Sequence, residues 1–213
     1  MSWSFEDRSL YLCTPLRDDL VGFVTACVLG GVDVVQLRAK DAPDHVVLDA
    51  ARALVACCAD LGVPFIVNDR PDLAAKVGAD GVHVGQDDVD VARCRELLGP
   101  EAVVGLSTHE SDDLARAHGE PLTYLSAGPV VATPTKPGRR GTGDGYVAEA
   151  LAVADVPVFV TGGVAPWTVP RLASIGVRHF VVVRHLTEAP DPRSAARALA
   201  DAIAAAAQGP RGD

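Results

Sequence analysis

Eight short stretches rich in β-branched and other apolar residues recur along the chain, with helical segments between them. The stretches are Leu10–Cys13, Val32–Leu37, Phe65–Val67, Gly81–Val84, Ala102–Gly105, Thr123–Ser126, Val158–Val160 and His179–Val183. Most are continuous apolar runs without strict alternation, which is typical of strands buried on both faces of a parallel sheet. Eight β-then-α units in 213 residues predict an α/β protein with a single (β/α)8 barrel.

An open, doubly wound sheet is the main alternative fold, but it would need fewer strands. The first predicted strand is also not followed by a G-x-G-x-x-G pattern. Within the predicted helices, Asp44 is expected to cap the second, and Pro71 suits the first turn of the third. We expect residues 1–213 to form one catalytic domain, with a flexible tail from about residue 208.

The composition argues against a nucleic-acid or membrane protein and stays compatible with a local basic pocket for a small anion. The formal net charge is −9, which argues against nucleic acid or an anionic membrane as the main partner. No apolar run approaches the length of a membrane span, and the first residues do not resemble a signal peptide. The five cysteines contain no C-x-x-C pair, which suits a reducing, cytoplasmic location. An exposed apolar helix face could support a homodimer.

Polar residues follow seven of the eight predicted strands. They are found at residues 36–40, 68–70, 83–88, 107–109, 128–140, 161–163 and 184–185. In a barrel of this kind the active site lies at the C-terminal ends of the strands. We therefore expect these residues to converge on one site.

The chemistry of these strand ends indicates a metal-bound diphosphate. Asp69 and Asp88 follow adjacent strands and are the natural ligands of Mg²⁺, which usually takes one or two protein carboxylates. The alternative is that each acid only caps a helix or lies in its first turn. Arg38, Lys40 and Lys136 would supply positive charge for the diphosphate.

A second anion site is expected after strands 7 and 8. Gly162 and Gly163, together with Arg184, match the phosphate site common in these barrels. His83 lies in an apolar strand and is expected to be a structural histidine, and His185 is expected to be structural or exposed. No Ser-His-Asp arrangement can be defended, so no covalent nucleophile is inferred.

Six segments in a fixed order carry a family resemblance. They are VVQLRAKD, FIVNDRPDLAAKVGADGVHVGQDD, GLSTHE, GPVVATPTKPG, VTGGV and VVVRHL. Over roughly residues 10–193 the chain resembles the thiamine phosphate synthase family. The resemblance implies a (β/α)8 enzyme that joins hydroxymethylpyrimidine diphosphate to a thiazole phosphate, giving thiamine phosphate and pyrophosphate by a dissociative mechanism.

The resemblance also implies roles for individual residues. Those expected to contact the pyrimidine diphosphate are Gln36, Arg38, Lys40, Asn68, Ser107 and Lys136. Those expected around the thiazole phosphate are Thr133, Pro134, Thr135, Gly163, Val183 and Arg184. Asp69 and Asp88 would hold Mg²⁺, and the expected catalytic residues are Lys136, Arg38 and Ser107.

Two positions depart from the family pattern, and two other functions stay open. Thr161 replaces an aliphatic residue, and Arg184 stands where many members have serine. The nearest alternative is a thiazole tautomerase of the same superfamily, which would need a proton shuttle and no diphosphate. The other is a non-catalytic thiamine-phosphate-binding module.

Overall fold

The computed structural model describes residues 3–133 and 140–208. Within these ranges, eight parallel strands form a closed barrel in sequence order, with β8 hydrogen-bonded to β1. The strands are β1 (Leu10–Thr14), β2 (Val34–Leu37), β3 (Phe65–Asn68), β4 (Gly81–Val84), β5 (Val103–Thr108), β6 (Tyr124–Ala127), β7 (Val158–Thr161) and β8 (His179–Val182). The predicted (β/α)8 barrel is confirmed, and the open-sheet alternative is wrong.

Helices follow the strands on the outside of the barrel. They are α1 (Leu20–Gly30), α2 (Asp44–Leu61), α3 (Pro71–Val77), α4 (Val91–Leu98), α5 (Ser111–Ala117), α6 (Gly143–Val153), α7 (Val169–Ser174), α8 (Arg184–Thr187) and α9 (Pro192–Ala207). The first and last long helices approach closely at Gly30, where an added Cβ would lie 2.5 Å from the Arg193 carbonyl oxygen. This contact closes the ring of helices beside the β1–β8 seam.

One predicted helix start is wrong and another is confirmed. Pro43, in an extended conformation, occupies the capping position before α2. Asp44 is the first residue of the helix, and no side chain forms a capping hydrogen bond there. The Asp44 carboxylate instead accepts two hydrogen bonds from Arg70, at 2.6 and 2.9 Å. Pro71 begins α3 as predicted, because proline suits a first turn whose amide groups have no helical partner.

Aromatic side chains fill the inside of the barrel at its N-terminal end. Phe5 stacks on Tyr124 with ring centroids 5.0 Å apart, and Phe159 lies edge-on to Tyr124 at 5.2 Å. Trp3 donates from its indole nitrogen to Asp80 at 2.6 Å, which ties the N-terminal segment beneath the barrel. Within the described residues, side chains therefore pack this end of the barrel.

No helix within the described residues is long and apolar enough to cross a membrane. The tail predicted from about residue 208 lies almost wholly outside the described residues, of which Gln208 is the last.

Candidate active site

A cavity of about 350 Å³ opens at the C-terminal ends of the strands. Its walls include eight of the residues predicted to bind substrate, namely Gln36, Arg38, Asn68, Ser107, Thr133, Gly163, Val183 and Arg184. The expected convergence of polar strand ends is therefore confirmed for these residues. The predicted Pro134, Thr135 and Lys136 lie outside the described residues.

An acidic cluster follows β3 and β4 beside this cavity. Lys40 forms an ion pair with Asp69, with 2.7 Å between Nζ and Oδ2. Asp69 has φ +62, the one positive φ of a non-glycine residue in the described ranges. This left-handed conformation is tolerated by aspartate but uncommon, and such strain concentrates at functional sites. The strained residue is thus the one whose carboxylate pairs with Lys40 and interacts with Asp88.

The Asp69 and Asp88 carboxyls are close enough to affect each other's ionisation. Burial raises the pKa of Asp69 and the Asp88 carboxyl raises it further, whereas Lys40 opposes the rise. Two converging acids disfavour ionisation in each other unless a cation compensates them. Their hard oxygen donors suit Mg²⁺, which uses one or two carboxylates and completes its coordination with water and phosphate. The residues present therefore fit the metal that the sequence predicted.

An amide pair joins the acidic cluster to the cavity. Gln36 donates from its side-chain nitrogen to the Asn68 side-chain oxygen at 3.2 Å. The Asn68 amide nitrogen is buried and has no hydrogen-bond partner among the described residues. A buried donor without a partner costs about 1–3 kcal/mol, so a ligand acceptor at this point would gain that energy. Asn68 is next to Asp69 in the chain, so this donor adjoins the predicted metal site.

Ser107 stands at the end of a buried chain of hydrogen bonds. Its hydroxyl lies 2.9 Å from His83 Nε2, and His83 Nδ1 lies 2.9 Å from the Tyr124 hydroxyl. The Tyr124 hydroxyl in turn lies 2.8 Å from that of Tyr11. Gln86 also donates to the Ser107 carbonyl at 2.8 Å, so the backbone and the side chain of Ser107 are both held. His83 itself lines the cavity, and its two ring nitrogens connect Ser107 to the tyrosine pair. Its predicted structural role stays a prediction.

Two glycines form the opposite wall of the cavity after β7. Gly162 and Gly163 have φ +98 and +75, conformations that other residues rarely adopt. A Cβ at Gly162 would lie 2.6 Å from the Val130 amide nitrogen. The turn therefore needs glycine both for its backbone angles and for close approach to the β6 loop.

Several cavity residues were not singled out by the sequence. Trp167, Ser126 and Glu188 line the cavity, and so does His185, which is half-buried and meets the Trp167 ring. Ser126 lies within β6, and the other three follow β7 or β8, so their position near the strand ends was the available signal. It was not used because aromatic and hydroxyl side chains are common in loops of any function.

A parallel barrel with arginines, a paired-acid cluster and a glycine turn at its C-terminal end is typical of enzymes that act on phosphorylated small molecules. The sequence profile of the thiamine monophosphate synthase family matches residues 10–186. The chain therefore belongs to the thiamine monophosphate synthase family.

Individual relatives agree with this family. The chain is 43% identical over 211 residues to the thiamine-phosphate synthase of Mycobacterium bovis, covering 92% of this chain and 95% of the relative. It is 40% identical over 208 residues to that of a Mycobacterium species, covering 92% of each. A thiamine phosphate pyrophosphorylase from Pyrococcus furiosus superposes with a TM-score of 0.83 at 26% identity, covering 93% of this chain and 96% of that one.

Proposed function

We propose that this chain condenses hydroxymethylpyrimidine diphosphate with hydroxyethylthiazole phosphate, giving thiamine phosphate and pyrophosphate with the help of Mg²⁺. The observation that carries the proposal is the interaction of Asp69 with Asp88 beside a cavity that Gly162, Gly163 and Arg184 line after β7 and β8. One substrate has a diphosphate for the acids and their metal. The other has a single phosphate for the wall after β7 and β8.

The diphosphate end of the first substrate belongs at the acidic cluster. Asp69 and Asp88 would hold Mg²⁺, which when bound neutralises charge that develops on a departing diphosphate. Lys40 is already directed at the cluster by its ion pair with Asp69. Arg38 lies in the cavity wall and would bind diphosphate oxygens.

The pyrimidine ring would bind between β2, β3 and β5. The unpartnered Asn68 amide donor suits a ring nitrogen, which accepts a hydrogen bond. Gln36 uses its amide nitrogen to hold Asn68, so its carbonyl oxygen can accept from the amino group of the ring. The Ser107 hydroxyl, held by His83, would give a third polar contact.

The phosphate of the second substrate would bind after β7 and β8. Gly163 and the backbone of Val183 and Arg184 line this side, and Thr133 adds a hydroxyl. The Arg184 guanidinium, which replaces a serine of many relatives, would add a charge-assisted hydrogen bond. Its replacement by a neutral side chain should therefore weaken binding of the thiazole phosphate.

The residues need only bind, orient and stabilise charge for this reaction. The bond between the pyrimidine methylene carbon and the diphosphate oxygen breaks, and its electron pair leaves with pyrophosphate. The thiazole nitrogen then gives its lone pair to the methylene carbon. Arg38 and Lys136 would stabilise the departing anion electrostatically, and Ser107 would keep the ring in place. No side chain acts as a covalent nucleophile.

Location and assembly are part of the same proposal. Cys27, Cys57, Cys58 and Cys94 have free thiols, which suits the reducing cytoplasm in which we place the enzyme. Val21 and Leu29 of α1 are 43% and 47% exposed and form the surface where we would seek a homodimer. Light scattering of the protein and of a Leu29→Glu variant would test that surface.

Turnover assays separate the proposal from its alternatives. The purified protein is given both substrates, and pyrophosphate release is followed with and without Mg²⁺. The proposal predicts Mg²⁺-dependent release that Asp69→Ala abolishes while the circular dichroism spectrum is kept, and that Lys136→Ala lowers well beyond any loss of stability. Metal-independent tautomerisation of the thiazole would identify the tautomerase instead, and binding of thiamine phosphate without turnover would identify the binding module.

A further inference from the structure

Trp167 is the most exposed large apolar side chain in the described part of the protein, at 75% of its full accessibility. A single exposed apolar side chain needs no special explanation. Trp167, however, lines the cavity that holds the candidate active site. Its indole therefore faces the space in which substrates would bind.

The backbone on both sides of Trp167 is held in a tight turn. The Thr168 hydroxyl accepts from the Ala165 amide at 2.9 Å and faces the carbonyl oxygens of Gly163 and Ala165 at 3.0 and 2.9 Å. The Thr168 amide also donates to the Ala165 carbonyl at 2.9 Å. Trp167 is thus fixed relative to the glycine turn at Gly162 and Gly163 without any ligand.

The indole also has one fixed neighbour. The His185 ring lies perpendicular to it, with 5.4 Å between ring centroids and an interplanar angle of 79°. Partial burial lowers the pKa of His185, so its imidazole is neutral at neutral pH and adds no charge to this wall. The two rings form an aromatic corner, defined here as Trp167 and His185, in which Trp167 stays 75% exposed.

We propose that the aromatic corner binds the thiazole ring, with the Trp167 indole stacking on it and setting the preference for that ring. This inference rests on the proposed function, in which the thiazole phosphate binds at Gly163. The two-carbon linker between phosphate and ring keeps the ring within a short distance of the glycine turn to which Trp167 is tied. Aromatic faces attract heteroaromatic rings, and sulfur makes favourable contacts with them.

The other substrate is a poor candidate for this contact. Its ring would bind at Asn68, at the end of β3, and β3 lies opposite β7 in a closed barrel of eight strands. Trp167 follows β7, so it would meet the thiazole and not the pyrimidine. The contact should therefore affect one substrate only.

Kinetics with both substrates test this selectivity. Trp167→Ala should raise KM for the thiazole phosphate roughly tenfold, while KM for the pyrimidine diphosphate stays within about twofold of the unmodified protein. Trp167→Phe should recover most of the loss because it keeps an aromatic face. Val153→Ala, at an exposed apolar residue of α6 outside the cavity lining, is the matched control and should change neither KM.

Fluorescence gives a direct reading of contact, because the chain has only two tryptophans. In a Trp3→Phe variant the emission comes from Trp167 alone, and thiazole phosphate should quench or shift it without the other substrate. Trp167→Phe should show no such change in emission. If Trp3→Phe does not fold, the emission of the unmodified protein minus that of Trp167→Phe gives the contribution of Trp167.

Equal KM values for thiazole phosphate in Trp167→Ala and the unmodified protein would overturn the inference, as would a change confined to the pyrimidine substrate. Absence of turnover in the unmodified protein would instead contradict the proposed function.

Discussion

Replacing Tyr124 by phenylalanine should destabilise the fold and disturb Ser107 through the buried hydrogen-bond chain. The phenol of Tyr124 bonds to Tyr11 at 2.8 Å and to His83 at 2.9 Å, and burial raises the pKa values of both tyrosines, so both stay protonated. Tyr124→Phe removes both buried hydrogen bonds of this phenol, at about 1–3 kcal/mol each. We therefore expect a loss of about 2–6 kcal/mol in the free energy of unfolding.

Two further variants make this prediction specific. Tyr11→Phe breaks only the last bond, and Tyr124 keeps His83 as a partner, so the cost should be about 1 kcal/mol. The double variant also removes the Tyr11 hydroxyl, which Tyr124→Phe deprives of its Tyr124 partner, so it should be more stable than Tyr124→Phe alone. Urea unfolding followed by circular dichroism would measure all three values.

Activity tests the link to Ser107. Tyr124→Phe removes the hydrogen bond that orients His83, so Ser107 should be less well held and kcat should fall. Tyr11→Phe should keep kcat close to that of the unmodified protein. Simple addition of the two single-variant costs in the double variant would refute the argument, because it would mean that the two phenols act independently.

Three other perturbations have defined outcomes. Asp69→Asn should remove a pH dependence of stability in the metal-free protein. Burial raises the folded-state pKa of Asp69 above its ordinary 3.8, so the unmodified protein loses stability as pH rises through the folded-state pKa. Thermal melts at several pH values should show this loss for the unmodified protein and not for Asp69→Asn. Gly162→Ala should raise KM for the thiazole phosphate, because the φ of +98 and the Cβ contact with the Val130 backbone force the turn to move; an unchanged KM would place the phosphate elsewhere. Gln86→Ala should weaken pyrimidine diphosphate binding severalfold by removing the donor to the Ser107 carbonyl, and calorimetry would detect the loss.

The barrel could be predicted from the sequence because each strand and helix is indicated by the residues of its own short segment. Most strands are largely apolar runs, and each predicted run overlaps a strand of the barrel. The convergence of Gln36, Asn68 and Ser107 on one cavity also followed, because parallel strands in a barrel all end on the same side. Because the sheet closes into a barrel, residues that are far apart in the sequence meet at one site.

Contacts across the barrel could not be predicted in the same way. The Tyr11–Tyr124 hydrogen bond joins residues 113 positions apart, and it depends on the register of every strand between them. The pairing of Trp167 with His185 depends on the shape of two loops. Asp44 was expected to cap α2 because aspartate suits the capping position of a helix. Its carboxylate instead accepts a hydrogen bond from Arg70, because a carboxylate is also a good partner for a guanidinium group.

The location of the metal tests the central claim most directly. Crystals of the protein grown with Mn²⁺ and a non-hydrolysable analogue of the pyrimidine diphosphate would show the metal by its anomalous scattering. The account predicts one strong peak between the carboxylates of Asp69 and Asp88, in contact with the diphosphate group. A bound analogue with no peak there, or with the metal at another part of the barrel, would contradict it.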